Sequence, residues 1–324
     1  MPRTARLDAP DLLQHVMVRG VERCDIFRDD NDRNRFTENL SKLLVQTGTE
    51  CLAWALMSNH FHLLLRPRDT RLAPFMRRLL TGYAIYFNRR HERSGHLFQN
   101  RYKSIVCEED AYLLELVRYI HLNPLRSGLV DDIAALDDYP WSGHSVILGN
   151  KTMGEQAVDE VLSLFGKRRR EARAKYRQFV ADGVALGKRE ELGGGRGLSR
   201  KVPEESGGEN YDPRILGSGE FIEGLRTRQG LEAHLSQPVA LATIVAEVCN
   251  HFGIDEDELR VKSRAARIAD VRSIICYLAV RRGGHSGVEV GRRINLGRAG
   301  VCVAAGRGEK MVLNDPKLLR LIDK

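Results

Sequence analysis

Leu56-Met57-Ser58-Asn59-His60-Phe61-His62-Leu63-Leu64-Leu65 is the stretch whose reading decides the fold. Apolar residues flank two histidines that are separated by one phenylalanine. In an extended strand, residues two apart project to the same face. His60 and His62 therefore converge on one side of a sheet, while Phe61 and Leu63 face the other. Two neutral imidazoles placed in this way can hold one divalent cation through ring nitrogens. A strand whose histidines simply sit on a half-solvated face has the same spacing, so the pair must be read with its neighbours.

Upstream, residues 12–19 alternate as a first strand that Gly20 closes, and Asp29-Asp30-Asn31-Asp32 supplies N-cap chemistry. Phe36, Leu40, Leu43 and Leu44 recur at helical spacing between Arg33 and Gln46. A second strand, Glu50 to Met57, enters the histidine strand through a short polar turn at Ser58-Asn59. Downstream, Pro67 ends that strand. Phe75, Leu79, Tyr83 and Phe87 predict a helix over 72–90, and Tyr102 to Cys107 a fourth strand. The order β-α-β-β-α-β predicts an α+β, ferredoxin-like antiparallel sheet, with two helices on one face and the other face left for a ligand. Glu108-Glu109-Asp110 then opens a helix with acidic residues at its positive end. That helix carries Leu113, Leu116, Val117 and Ile120 together with Tyr112 and Tyr119, and is expected to end at Asn123, before Pro124.

A chain of 324 residues has room for two domains, each with its own core. The expected boundaries are 1–149 for the sheet domain, 150–211 for a helical extension and flexible basic linker, and 212–324 for an all-α domain. Within the extension, helices are expected from Glu155 to Phe165 and from Lys167 to Val180. Residues 187–210, rich in Gly, Arg, Lys, Glu and Ser, lack the apolar content to form a core. No apolar run approaches the roughly 20 residues of a membrane span, and no signal-peptide core follows the basic start, so a cytoplasmic location is expected. Six scattered cysteines with no Cys-x-x-Cys pair exclude a zinc ribbon or dithiol redox motif and fit reduced thiols. A formal charge of +8 and a pI near 9.3 point to a polyanionic partner, most simply nucleic acid.

Tyr119 and Asn123 lie in Arg118-Tyr119-Ile120-His121-Leu122-Asn123-Pro124, four residues apart. They share one helical face, about 6 Å apart along the axis. An amide oxygen at Asn123 can add a third metal ligand beside His60 and His62, and the Tyr119 phenol can attack what the metal polarises. The chemistry this suits is phosphoryl transfer. Mg²⁺ or Mn²⁺ neutralises charge on a scissile phosphate, and a tyrosine nucleophile conserves the bond energy for a 3′-hydroxyl to reclaim. Packing on the sheet accounts for Tyr119 equally well by spacing alone, as helix closure does for Asn123.

The stretches His15-Val16-x-x-Arg19-Gly20, Phe27-Arg28-Asp29-Asp30 and Met57-Ser58-Asn59-His60-Phe61-His62-Leu63-Leu64 resemble the HUH single-tyrosine transposases. So do Tyr86-Phe87-Asn88, Gly95 to Ser104, Arg118 to Pro124 and Tyr139-Pro140-Trp141-Ser142. Within that family the chain is most similar, over roughly 10–149, to the bacterial REP-associated tyrosine transposases. The resemblance implies that His60 and His62 bind a divalent ion, with Asn123 completing the site. It implies that Tyr119 forms a 5′-phosphotyrosine on single-stranded or hairpin DNA. Ser58, Val21, Gly143 and His144 depart from the family pattern without removing a chemical group. Gln99, Asn100, Arg101 and Lys103, before the fourth strand, and Arg126 are candidate DNA contacts.

From Leu241 the chain turns clearly helical, and Ser286 to Arg292, Asn295 to Arg298 and Ala299 to Ala305 read as helix, turn and recognition helix. This part is similar to the C-terminal DNA-binding domain of the bacterial replication initiator DnaA. The similarity implies duplex contacts by Lys262, Arg264, Arg267, Arg272 and Arg298. The family's Asp-His-Thr-Thr is replaced by Ala299-Gly300-Val301-Cys302, so its base contacts are absent. A docking module for protein fits the same helices. For the whole chain, the expected function is a transposase-like strand transferase. The alternatives are a non-catalytic DNA-binding regulator derived from one, or a metal-dependent hydrolase using water.

Overall fold

The computed structural model describes residues 6–153, 155–187, 189, 192, 212, 214–228, 231, 235, 240–261, 265–282, 285 and 287–321, without the side chains of 281, 282, 298, 316, 319 and 320. Four strands alternate in sequence with two helices. They are β1 (Leu13–Arg19), α1 (Asp30–Thr47), β2 (Thr49–Leu56), β3 (His60–Pro67), α2 (Leu72–Arg90) and β4 (Lys103–Cys107). The sheet order is β2-β3-β1-β4 with antiparallel neighbours, as the ferredoxin-like expectation requires. The Ser58-Asn59 turn closes with Met57 N–H donating to the His60 carbonyl at 2.9 Å. Asp29 caps α1 by accepting from the Asp32 amide, and Gly48 ends it at a φ of 58°, where a β-carbon would be strained.

A fifth strand makes the sheet mixed: β5 (Ile215–Leu216) pairs parallel with β4. Val106 N–H donates to the Arg214 carbonyl and Glu108 N–H to the Leu216 carbonyl, each at 2.8 Å. The chain divides into compact units after Leu235, not near 212. The physical reason for the shift is burial. Ile215, Ile222, Leu225, Leu231 and Leu235 share a small core with Leu7, Leu12 and Val106. Helix α9 (Gly219–Arg226) belongs to that layer.

Phe61, Leu63 and Leu65 on β3 meet Phe36 and Leu40 of α1 and Phe75, Leu79 and Tyr83 of α2. The opposite face carries apolar groups too, among them Leu13, Leu64 and Ile105, and it is covered rather than left open. Its cover is α3 (Glu109–His121), followed by α4 (Asn123–Arg126), α5 (Ile133–Asp138), α6 (Gly143–Leu148), α7 (Val158–Ser163) and α8 (Arg169–Asp182). Leu162 of α7 and Tyr176 and Val180 of α8 are buried in that cluster, so the expected extension is part of the core. Arg66, on the same β3 face as the histidines, binds Glu50 at 2.6 Å, Glu160 at 2.5 Å and Glu109 at the start of α3. This ion cluster ties the tyrosine helix to the histidine strand.

The second unit is helical. It consists of α10 (Leu241–Phe252), α11 (Ala266–Tyr277) running into a π turn at Leu278–Arg282, α12 (Gly287–Arg293) and α13 (Arg298–Asn314). Ile244, Val248, Ile274, Val290, Val301 and Ala304 form its core. The α12–α13 turn places Asn295 at a φ of 54°, a conformation its short amide tolerates. Close packing fixes two glycines. A β-carbon on Gly291 would lie 2.3 Å from the Leu296 carbonyl oxygen, and one on Gly308 would lie 2.0 Å from that of Ser273.

Candidate active site

Strand register assembles the site. His60 lies opposite Arg19 and His62 opposite Met17 of β1, and Met17 in turn lies opposite Lys103 of β4. Cross-strand partners project to the same face, so Arg19, Lys103, His60 and His62 stand on one side of the sheet. His15, two positions before Met17, joins them. The His60 and His62 rings are 5.4 Å apart, centroid to centroid, and near perpendicular at 76°. Helix α3 lies over this face and brings the Tyr119 ring to 5.9 Å from His62 and 5.7 Å from His15. The nucleophile expected from the sequence and the two expected ligands are therefore brought together.

Each imidazole is held by a named partner. His60 Nδ1 and the Asn59 Oδ1 are 2.7 Å apart, and the Asn59 amide nitrogen donates to the Arg23 carbonyl at 3.2 Å. His62 Nδ1 lies 2.9 Å from His15 Nε2, and His15 Nδ1 lies 3.0 Å from the Leu192 carbonyl oxygen. Burial pushes His15 and His60 down to about 4, with the charge of Lys103 acting on the first and Arg19 on the second. Burial also carries His62 well below its ordinary value, aided by His15, His60 and Arg19. All three are neutral at pH 7, the form in which a ring nitrogen keeps a lone pair for a metal. That donor set fits a divalent ion. Among the described residues no group of three or more His, Cys, Asp or Glu is placed to hold one.

Asn123 donates its amide nitrogen to the carbonyls of Tyr119, at 2.9 Å, and Ile120, at 3.4 Å. That is the helix-closing role the sequence also allowed. Arg126 places its guanidinium carbon 5.7 Å from the Tyr119 ring centroid. Its Nη2 donates to the Gly183 carbonyl at 3.3 Å, whereas its buried Nη1 has no hydrogen-bond partner among the described residues. Gln99, Asn100 and Arg101 are exposed on the loop before β4, and the Gln99 backbone N–H donates to the Arg19 carbonyl at 2.9 Å.

In the second unit, Lys262 and Arg264 lie outside the described residues, as does the Arg298 side chain. Arg267 is exposed and donates to the Phe252 carbonyl. Arg272 requires a correction. It is buried, and its guanidinium donates to the carbonyls of Leu259, at 2.7 Å, and Val261, at 2.6 Å. Val271, Ile274, Ile275 and Cys276 around it are all buried, so it braces the fold instead of facing DNA. Sequence reading also passed over His15, Arg19 and Leu192 as site residues. Alternation along β1 gives the first two the parity of Met17; nothing local points to Leu192.

Residues 9–123 match the family model "Transposase IS200 like". This part of the chain is similar to the IS200-like transposases. Residues 241–305 match the model "Bacterial dnaA protein helix-turn-helix". No curated protein matches the chain. Among solved structures, one described as "Structure of the REP associates tyrosine transposase bound to a REP hairpin" is similar at 17% identity. It covers 49% of this chain and 90% of its own, with a TM-score of 0.39. No helix among the described residues is long and apolar enough to cross a membrane.

Proposed function

We propose that the transposase domain cleaves and rejoins single-stranded DNA, at hairpin-forming repeats, through a 5′-phosphotyrosine on Tyr119. The observation that carries this reading is the Tyr119 ring within 6 Å of His62 on the histidine face of the sheet. His60 and His62 would hold Mg²⁺ or Mn²⁺, with the Asn123 amide oxygen as a further ligand, and the bound ion would supply charge neutralisation at the scissile phosphate. The Tyr119 oxygen forms a bond to phosphorus as the bond to the 3′-oxygen breaks, leaving a free 3′-hydroxyl and the 5′-phosphate on the enzyme. An incoming 3′-hydroxyl reverses the step. Arg126 and Lys103 offset phosphate charge, and Gln99, Asn100 and Arg101 contact the strand. The helix-turn-helix unit holds duplex DNA through Arg267, Lys262, Arg264 and Arg298, raising the local concentration of substrate.

A labelled hairpin oligonucleotide incubated with Mn²⁺ tests the reading. The expected product is a covalent protein–DNA adduct that Tyr119→Phe removes, a loss of about 10³-fold or more on the scale of deleting a nucleophile. Tight binding without an adduct would instead mark a non-catalytic regulator. Cleavage that survives Tyr119→Phe would mark hydrolysis by water.

A further inference from the structure

We propose that His15 is a positioning residue of this site: it fixes the His62 proton on Nδ1 and so reserves the His62 Nε2 lone pair for the metal. The inference rests on the metal role given to His60 and His62 above. Its starting point is a direction. A peptide carbonyl can only accept a hydrogen bond, and a neutral imidazole donates from one nitrogen and accepts at the other. The Leu192 carbonyl, 3.0 Å from His15 Nδ1, therefore takes the proton of that nitrogen. His15 Nε2 is left as an acceptor, and the atom 2.9 Å from it is His62 Nδ1. That nitrogen must donate. Of the two His62 nitrogens, only Nε2 then keeps a lone pair.

His60 reaches the same tautomer by a local device. The Asn59 amide nitrogen donates to the Arg23 carbonyl, which fixes the flip of the amide and turns its oxygen toward His60 Nδ1. An amide oxygen only accepts, so His60 also carries its proton on Nδ1. Both ligands are thus set alike, one by its sequence neighbour and the other through a relay that ends 177 residues downstream of His15. The relay's anchor is built into the fold. Leu192 is 1% exposed and packs in the cluster that contains α3, and Arg189 pairs with Glu115 of that helix at 3.5 Å. A partner that orients a ligand through its second nitrogen commonly changes metal affinity 10- to 100-fold.

The test uses the full chain, His15→Gln and His15→Phe. Nitrogen-15 spectra of the metal-free wild type should place the His62 proton on Nδ1. Gln offers an acceptor to His62 and a donor to Leu192, whereas Phe fills the space with neither. Mn²⁺ affinity, followed by the paramagnetic resonance of the free ion, should fall by roughly 10- to 100-fold in His15→Phe and be largely kept in His15→Gln. A purely space-filling His15 would give the opposite ranking and would overturn the proposal. So would a wild-type His62 proton on Nε2, a result that needs no variant to fold. Failure of the underlying reading is separable: the wild type would then bind no Mn²⁺ while His62 still carried its proton on Nδ1.

Discussion

On the histidine face of the sheet, His15, His62 and Tyr119 lie within 6 Å of one another, ring to ring. On α13, the helix that would enter a DNA groove, the exposed positions of the first turns are Ala299, Gly300, Cys302 and Val303, the last 66% exposed. The first unit brings its candidate reactive groups together on one face. The second has a frame, held by Val301 in the core and by the close contacts at Gly291 and Gly308, while these four exposed residues carry no amide, guanidinium or carboxylate for a base edge. Packing and function are separable in this way because a helix-turn-helix is specified by its buried positions. Direct readout depends on a few exposed donors and acceptors that contribute little to stability.

The comparison is broken most strongly at Arg66. Arg66→Met removes the cation shared by Glu50, Glu109 and Glu160, leaving three carboxylates together at the start of α3. The expected cost is about 3 kcal/mol, at the low end for removing one partner of a buried ion pair, because each carboxylate keeps about a third of its exposure. Thermal unfolding of the full chain should show the loss in the sheet unit. Adduct formation should fall with it, since α3 carries Tyr119, while affinity for duplex DNA stays unchanged. Equal loss in both activities would mean the units are not independent.

A smaller effect comes with pH. Burial holds His15 and His60 near 4, against about 6.5 in an unfolded chain. Between these values the unfolded chain binds more protons than the folded one, so stability is full above about pH 6.5 and is lost as pH falls toward 4. At pH 5 the cost is about 2 kcal/mol for the buried His15 and less for the half-buried His60. Urea unfolding at pH 7 and pH 5 measures it; His15→Gln should remove the His15 share, while the share of His62, which burial also holds well below its ordinary value, remains. An unchanged midpoint in the wild type would mean the rings are not held neutral.

Much of the candidate site's geometry was legible because its parts are local. His60 and His62 sit two apart on one strand, Tyr119 follows a clear apolar pattern, and alternation located β1 to β4. What escaped was non-local. The partner of His15 is a single carbonyl beyond α8, and β5 is two residues long and pairs in parallel with a strand over 100 residues earlier. Arg272 was misread because a charged residue at helical spacing looks like a solvent face. On a helix buried on every side at that point, from Val271 to Cys276, its charge is satisfied by carbonyls. The covered histidine face was missed for a related reason: Leu13, Leu64 and Ile105 alternate with polar groups, and only the helices after β4 show what those leucines are for.

The smallest effect is the one that sharpens the contrast between the units. Alanine, glycine, cysteine and valine at the described exposed positions of the first turns can touch a thymine methyl but offer few hydrogen bonds to a base edge. Duplex affinity should then come from phosphate contacts. Measured with the Tyr119→Phe chain, so that no adduct forms, binding to a panel of hairpin-free duplexes should vary by less than about 1 kcal/mol with sequence. A helix that reads bases loses about 1–3 kcal/mol for each mismatched pair. The same binding should weaken steeply with added salt as counterions compete for the phosphates. One duplex preferred by 30-fold or more, roughly 2 kcal/mol, would show that α13 still reads sequence, and the two units would then differ in chemistry but not in what they have kept.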